Sequence, residues 1–451
     1  MAKFDISIIG LGYVGLVTGS AFAKKGYSVI CADVIEEKVQ TLNSGRSPIY
    51  EPGLDELVKE LVEEGKLSAT NFVSKAVADS DITFICVGTP SEPDGSVDLK
   101  FITSAAEDVG KALSEKQEYH LVVVKSTVVP LTTEETIIPI IEKHSGKKAG
   151  EGFGICMNPE FLREGNAVYD SMTPDRIVIG ELDDKSGEML LKYYEDFDVP
   201  KLRTDLRTAE MIKYAANTFL ATKITYANEM ANICTKLGID VYEVMKGVGS
   251  DARINPEFLN AGCGFGGSCF PKDLQALKFV AESKGYEPLL LNSVLLLNDN
   301  QYFKLIEMAE SMIDGLQDKR VAVLGLSFKP NTDDVRETRA LPLIKGLLEK
   351  GAVVVAYDPK GIENFKELVG DRFIKMGYSV TRLIYADDVE SALRNADACI
   401  IQSDWDEFKN LGMDQFNLMK KPAVIDGRRT FSDPTKLIEC GLKYKGIGWK
   451  D

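Results

Sequence analysis

The sequence predicts an α/β protein in which two doubly wound parallel-sheet domains are joined by a central domain of long helices. Three observations carry that expectation. Short apolar runs rich in β-branched residues alternate with helix-length segments near both ends of the chain, the pattern of a parallel sheet covered on both faces. Two stretches in the middle keep helical apolar spacing for about thirty residues, too long for that alternation. The last third also opens as the first does: "VAVLGLSF" parallels "ISIIGLGY", and "VVVAYDP" parallels "SVICADV".

Taken in order, "FDISIIG" (4–10) reads as a strand, 14–25 as a helix ending at Gly26, and "YSVICAD" as a second strand ending at Asp33. "ITFICVGTP" (82–90), "HLVVVKSTVVP" (120–130), "FGICMNPE" (153–160) and "RIVIG" (176–180) continue the series, so residues 1–204 form the first expected domain. Between 205 and 315 the spacing turns helical, over 208–238 and again over 288–315, with Pro288 near one start and Gly238 and Gly315 at the ends. Helices apolar around much of their circumference need partners, which makes this central domain the expected interface of a homodimer. From 316 to 451, "RVAVLGLSF", "AVVVAYDP", "ADACIIQSD" and "PAVIDGRR" restore the strand–helix alternation. The copy is degenerate, because Ser327 stands where the second glycine of the first turn would be.

Composition narrows the function. A chain of 451 residues accommodates roughly two to four domains. Its 53 basic and 69 acidic residues give a formal charge of −16, which argues against a sequence-independent nucleic-acid binder but leaves room for a local basic pocket. Eight cysteines are too sparse for a disulfide scaffold, and none forms C-x-x-C. Two histidines, His120 and His144, leave almost no material for a His-centred triad or a His-ligated zinc site, so no metal is expected. The longest apolar run, "LLLNSVLLL" (289–297), is interrupted by Asn292 and Ser293 and falls short of the ~20 residues a spanning helix needs. The N-terminus superficially imitates a signal peptide, but Asp5 and the spaced glycines oppose that reading. A soluble, cytoplasmic protein that binds neither membrane nor nucleic acid is expected.

"GLGYVG" supplies G-x-G-x-x-G after a strand and at the start of a helix. Gly10 permits the tight turn, Gly12 lets backbone approach a pyrophosphate, and Gly15 allows close helix–strand packing, while the phosphates meet the helix N-terminus. Asp33 ends the next strand, where a carboxylate bonds ribose hydroxyls and repels a 2′-phosphate. A Rossmann-like domain that takes NAD rather than NADP is therefore expected.

"NAGCGFGGSCFPKD" (260–273) is the most distinctive stretch: four glycines form a loop suited to lying against a ligand, and Cys269 sits within it. Lys272 favours a thiolate there and Asp273 is placed to position water. Cys31, Cys86, Cys156 and Cys399 fall in apolar strands and Cys234 in the long helix, where packing thiols are expected; Cys263 either pairs with Cys269 or lines the loop. "NPEFLREG" (158–165) follows a strand end and brings Glu160 and Glu164 near one another, and "KSTVVP" places Thr127 at another strand end. Lys213 and Asn217 share a helix face one turn apart, suited to an alkoxide and an ordered water or else to a surface stripe. Lys329 and Arg336 follow a strand of the last domain, where a phosphate-bearing ligand binds.

Together "GLGYVG", "VGTP", "STVVP", "NPEFLREG", "PDRIVIG", "KYAANTFLATKITYANEM", "FLNAGCGFGGSCFPKD", "SFKPNTDDVRE" and "DGRR" resemble, in this order and over nearly the whole chain, the UDP-glucose/GDP-mannose dehydrogenase family. The resemblance implies an N-terminal NAD domain, a helical dimerising centre and a C-terminal nucleotide-sugar domain. It makes Cys269 the nucleophile and assigns NAD contacts to Val14, Asp33, Lys38, Thr89, Thr127, Glu164, Lys272 and Arg336, beside Gly10, Gly12 and Gly15. Thr127 also joins the catalytic set. Sugar-nucleotide contacts fall on Glu160, Phe161, Leu162, Arg163, Glu164, Lys213, Asn217, Phe258, Leu259, Asn260, Ala261, Gly262, Gly266 and Lys329, with Arg253 a further phosphate or sugar contact. Arg429 in "DGRRTF" departs from the family's frequent asparagine, away from the chemistry.

The implied activity is a two-step, four-electron oxidation of UDP-glucose to UDP-glucuronate with two NAD per sugar. Cys269 forms a thiohemiacetal and then a thioester, Lys213 and Asn217 stabilise the oxyanion, and Asp273 and Glu160 serve the hydrolytic water. GDP-mannose and UDP-N-acetylmannosamine are the alternative substrates; Phe270 in "GGSCFPKD" favours UDP-glucose. A non-catalytic nucleotide-binding protein is the remaining alternative, opposed by the joint presence of Cys269, Lys213, Asn217 and Asp273.

Overall fold

The computed structural model describes residues 4–450 except 376 and 378. The chain divides into two compact units, Met1–Ala216 with Gln275–Lys284, and Asn217–Leu274 with Gly285–Asp451.

The first unit is built on eight strands: β1 (Ile6–Ile9), β2 (Val29–Ala32), β3 (Leu67–Thr70), β4 (Ile82–Ile85), β5 (Leu121–Val124), β6 (Gly154–Met157), β7 (Ile177–Glu181) and β8 (Lys201–Asp205). They lie in the order β3-β2-β1-β4-β5-β6-β7-β8. Residues of β1, β2, β4, β5 and β6 are buried throughout, which is why those strands read as unbroken apolar runs. Strand order reverses between β1 and β4, so the turns after them flank the crevice where open α/β sheets bind ligands. The helix Tyr13–Lys24 packs Phe22 against Phe84 and Tyr194, with ring centroids 5.3 and 5.2 Å apart. One feature departs from the expected parallel sheet: β7 runs antiparallel to β6, and β8 follows β7 in parallel. The apolar "RIVIG" reports burial, and burial alone does not fix strand direction.

The second unit holds β9 (Arg320–Leu324), β10 (Val353–Tyr357), β11 (Leu383–Tyr385), β12 (Ala398–Ile401), β13 (Ala423–Asp426) and β14 (Lys443–Gly446). Their order is β11-β10-β9-β12-β13-β14, and every neighbouring pair is parallel. Both sheets are therefore doubly wound around a switch point, as the repeated openings predict. The helix Leu206–Leu237 carries the chain from the first unit into the second. The helical stretch expected over 288–315 is two helices, Leu289–Gln301 and Phe303–Ile313, meeting at Tyr302. Among the described residues no helix is long and apolar enough to cross a membrane.

Candidate active site

In the first unit the three glycines of the opening turn have separable jobs. Gly10 has φ +105°, and a Cβ on it would lie 2.8 Å from the Cys86 carbonyl oxygen. A methyl on Gly15 would be driven into the Gly10 carbonyl. Around Gly12 the opposite holds: nothing lies within 4 Å of the Cβ position. Gly12 caps the helix Tyr13–Lys24 without a side-chain bond, and the first turn has no acidic residue. The helix start thus has open space at Gly12 and no acidic residue of its own in the first turn, as a pyrophosphate requires. Asp33 is aimed by two backbone groups, its Oδ2 accepting the Leu11 N–H at 2.7 Å and its Oδ1 the Ile35 N–H at 2.9 Å. Val14 and Lys38 are partly exposed at the starts of their helices. These residues fit an NAD molecule.

The ends of β4 and β5 are tied together beside this turn. Thr89 Oγ1 donates to the Thr127 carbonyl at 2.8 Å, and Ser126 Oγ donates to the Val87 carbonyl at 2.7 Å. Beyond β6, Glu160 is buried; its Oε1 takes the Lys213 ammonium at 2.8 Å and its Oε2 the Leu162 N–H at 2.6 Å. Burial pushes this carboxyl up, yet Lys213, the Leu162 N–H and Lys125 together hold it below the ordinary carboxylate range. Side-chain exposures of 3% and 6% bury both partners and exclude the surface-stripe reading for Lys213. Phe161 carries the Arg176 guanidinium 3.8 Å above its ring. Arg163, expected on the substrate, grips Asp170 with Nε and Nη2 at 2.9 and 2.6 Å, and Glu164 lies between it and Gly165. Gly165 and Ala167 give their N–H groups to the buried Glu51, both at 2.7 Å, a support that sequence spacing did not reveal.

In the second unit Cys269 is half-buried and immediately precedes the helix Phe270–Ser283. Its carbonyl accepts the Asp273 N–H at 2.8 Å, and Ser268 Oγ stands 3.5 Å from its sulfur. Asp273 is buried, with Oδ2 accepting the Asn217 amide at 2.6 Å and Oδ1 the Lys272 ammonium at 2.7 Å. Cys269, Lys272 and Asp273, expected together in one loop, form a connected cluster with Asn217 of the long helix.

The glycine loop before Cys269 is fastened from several directions. Asn228 accepts the Gly262 N–H at 2.7 Å, Asn298 the Phe265 N–H at 2.7 Å, Gln301 donates to the Gly262 carbonyl at 3.1 Å, and Arg428 to that of Gly264 at 2.9 Å. Gly267 (φ +85°) gives its N–H to the Arg336 carbonyl at 2.9 Å and lies against the Phe328 ring, while a Cβ on Gly266 would strike the Glu337 carbonyl. The glycines thus admit the protein's own 328–337 segment, a demand distinct from ligand approach. Leu259 and Ala261 are buried, Asn260 is exposed, and Phe258 (φ +64°) edges against Phe270. Lys329 Nζ lies 5.4 Å from the Phe328 centroid. Arg336 and Arg253 are exposed and pair with the neighbouring Asp334 and Asp251, at 2.7 and 2.6 Å.

Of the seven other thiols Cys440 is exposed, and the remaining six are set by burial. It pushes Cys31, Cys156 and Cys399 up and Cys86 up to about 12. Cys234 is buried, and Cys263 lines the loop with its thiol toward the Gln402 carbonyl at 3.5 Å, not bonded to Cys269. Asn228, missed in the sequence, stands three turns beyond Asn217 on the same helix face, a periodicity that marks it.

Three family models match the chain in order: the NAD binding domain of the UDP-glucose/GDP-mannose dehydrogenase family over residues 4–198, its central domain over 207–300 and its UDP binding domain over 322–433. The UDP-glucose 6-dehydrogenase AglM of Haloferax volcanii is 46% identical over 94% of this chain and 96% of its own length. The UDP-glucose 6-dehydrogenase TuaD of Bacillus subtilis is 42% identical over 98% and 93%. A solved UDP-glucose dehydrogenase from Pyrobaculum islandicum superimposes with a TM-score of 0.90 at 40% identity, covering 99% of this chain and 98% of that one. A UDP-D-ManNAc dehydrogenase from Pyrococcus horikoshii gives 0.86 at 28% identity, covering 99% and 100%.

Proposed function

The chain belongs to the UDP-glucose/GDP-mannose dehydrogenase family, and from that premise we propose the reaction its own residues perform: oxidation of UDP-glucose to UDP-glucuronate. It is an NAD-dependent dehydrogenase, and bound NAD supplies a hydride acceptor. The observation that carries the proposal is the cluster around Cys269, a thiol at a helix start beside a buried acid held by an amide and an ammonium.

Oxidising a primary alcohol to a carboxylate removes two hydrides and consumes one water. The C6 hydroxyl gives up a proton and the carbon a hydride, leaving an aldehyde. Cys269 adds through sulfur to that carbonyl, forming a thiohemiacetal. Loss of the second hydride leaves a thioester, and water cleaves the C–S bond to release the acid and restore the thiol. Lys213 and Asn217 stabilise the oxyanions formed on the way, and Asp273, with Glu160, positions or deprotonates the water. No histidine is needed; burial pushes His120 down to about 3 and keeps its ring neutral.

Substrate choice rests on two supports: Phe270 beside Cys269, and identities reaching 46% to UDP-glucose enzymes against 38% to a GDP-mannose dehydrogenase and 28% to the UDP-D-ManNAc enzyme. The proposed division of labour is NAD binding by 1–204, dimerisation by 205–315 and UDP-sugar binding by 316–451. The helix Leu206–Leu237 supports the homodimer, since Phe219, Tyr226 and Ile233 recur exposed at seven-residue intervals. A cytoplasmic location is proposed from the family's soluble NAD chemistry.

NADH absorbance with UDP-glucose, GDP-mannose and UDP-N-acetylmannosamine tests the reading. Two NADH per UDP-glucose, with slower turnover of the others, is expected. One NADH per sugar refutes the four-electron route, and preference for another sugar refutes the substrate.

A further inference from the structure

The buried lysine at the end of β5 has no part in the chemistry described so far. Lys125 is 7% exposed, and its ammonium donates to Asn158 Oδ1 at 2.8 Å and to the Asn158 carbonyl at 3.5 Å. Tyr194 Oη lies 3.5 Å from the same ammonium and itself donates to Asn158 Oδ1 at 2.6 Å. These partners are neutral. A second Asn158 bond, Nδ2 to the Val178 carbonyl at 2.8 Å, fixes which way the amide faces.

Lys125 stands where three strand ends come together. Ser126 and Thr127 follow it and are bonded to Val87 and Thr89 beyond β4, and Asn158 leads directly to Glu160 beyond β6. The charged and titratable groups facing it are Cys86, Glu160, Lys213 and Tyr194. Cys86 and Tyr194 are pushed up by burial and stay neutral, which leaves a buried row of Lys125, Glu160 and Lys213 with two positive charges against one negative.

We propose that Lys125 is a positioning residue that keeps this row one positive charge in excess, so that the Glu160–Lys213 pair presents net positive potential to the oxyanion formed during oxidation. Without Lys125 the pair is neutral overall and gives less stabilisation as charge develops. Burial pushes the Lys125 ammonium down to about 8, with Glu160 opposing the fall and Lys213 adding to it. The excess charge is present at neutral pH and is lost as pH rises through that value. The inference rests on the proposed roles of Glu160 and Lys213.

The test compares wild type, Lys125→Met and Lys125→Arg in full-length protein. Circular dichroism and NAD affinity first establish folding, and kcat and KM for UDP-glucose are then followed from pH 6 to 10. Lys125→Met is expected to lower kcat about tenfold or more at pH 7 while KM changes little. Wild type is expected to lose kcat with a midpoint near 8, and Lys125→Arg, which stays charged, to move that decline upward by about one pH unit or more. A purely structural lysine would not move the midpoint. Folded Lys125→Met with wild-type kcat overturns the proposal, as does Lys125→Arg with an unshifted decline. If the Met variant does not fold, the Arg profile decides alone. Wild type that makes no NADH from UDP-glucose defeats the substrate reading instead, whereas normal wild-type turnover with unaffected variants defeats only Lys125.

Discussion

Gly12 and Gly15 sit three residues apart in one turn, and the structure gives them opposite sensitivities. A methyl at Gly12 meets nothing within 4 Å, and the residue's φ of −86° and ψ of −172° suit alanine. Gly12→Ala is therefore expected to cost below about 1 kcal/mol of stability, the scale of a helix-cap change. The space the methyl enters is the space a pyrophosphate needs, so NAD affinity falls about tenfold or more, equivalent to about 1.4 kcal/mol. Gly15→Ala drives its methyl into the Gly10 carbonyl between a buried helix and β1. Overpacking of that kind costs about 3 kcal/mol, which for a unit of this size lowers Tm by about 6–12 °C. Scanning calorimetry and NAD titration by fluorescence separate the two. Wild-type NAD affinity in Gly12→Ala, or a wild-type Tm in Gly15→Ala, refutes the assignment of one glycine to ligand and the other to packing.

Asp273→Asn places an amide N–H against either the Asn217 amide or the Lys272 ammonium, removing a buried bond to a charged group at about 2 kcal/mol. Stopped-flow absorbance should show a burst approaching two NADH per site followed by turnover about 100-fold slower, because hydrolysis fails after both oxidations; wild-type turnover without a burst contradicts the role. Glu210 accepts the Leu131 and Thr133 N–H groups at 2.7 and 2.9 Å and the Thr133 hydroxyl at 2.6 Å, and burial pushes its carboxyl up to about 7. An acid raised in the folded state adds stability below its ordinary value that is lost as pH rises through 7. Unfolding free energies from urea melts between pH 5 and 8 should thus fall by about 2–3 kcal/mol more in wild type than in Glu210→Gln, and parallel slopes would contradict this. Replacing Phe219 and Ile233 by Asp should reduce the light-scattering mass to one chain; a wild type already of that mass removes the dimer.

What could be read in the sequence was local or periodic. Unbroken apolar strands declared a buried parallel sheet, and "GLGYVG" followed by Asp33 declared its dinucleotide turn because each residue type answers a steric or charge demand within a short span. The orientation of β7 was not readable, since it depends on where the chain re-enters the sheet. Nor were the fastenings of the glycine loop, as Asn228, Asn298 and Gln301 approach it from remote helices. Lys125 reads in sequence as the polar end of a strand; only its burial against Asn158 and Tyr194 gives it meaning. Arg429 illustrates the reverse. It looked incidental, yet with φ +54° it holds Asp240 with Nη2 at 2.9 Å and lies over the Trp449 ring at 4.2 Å, tying the last turn of the chain to the helix Val241–Gly249.

The repeated opening of the two sheets poses a sharper question, why similar turns do not imply two dinucleotide sites. Gly10 and Gly325 share left-handed backbone, at φ +105° and +96°. Asp33 and Asp358 each follow the next strand, and each accepts an N–H from the turn at 2.7 Å, from Leu11 and Leu326. Beyond that point they diverge. Asp33 spends its other oxygen on one N–H and stays partly exposed, so a ribose can reach it. Asp358 is 2% exposed and also accepts the N–H groups of Ser327, Lys360 and Gly361 and the Trp405 indole. Ser327 fills the space that Gly12 leaves open, with its hydroxyl 3.2 Å from Asp358 and in the path of any Cβ on Gly361. A carboxylate whose lone pairs are already taken by protein donors cannot select a ribose. The second turn keeps the geometry of a dinucleotide site and lacks its vacancy, so the repeated opening does not make a second dinucleotide site.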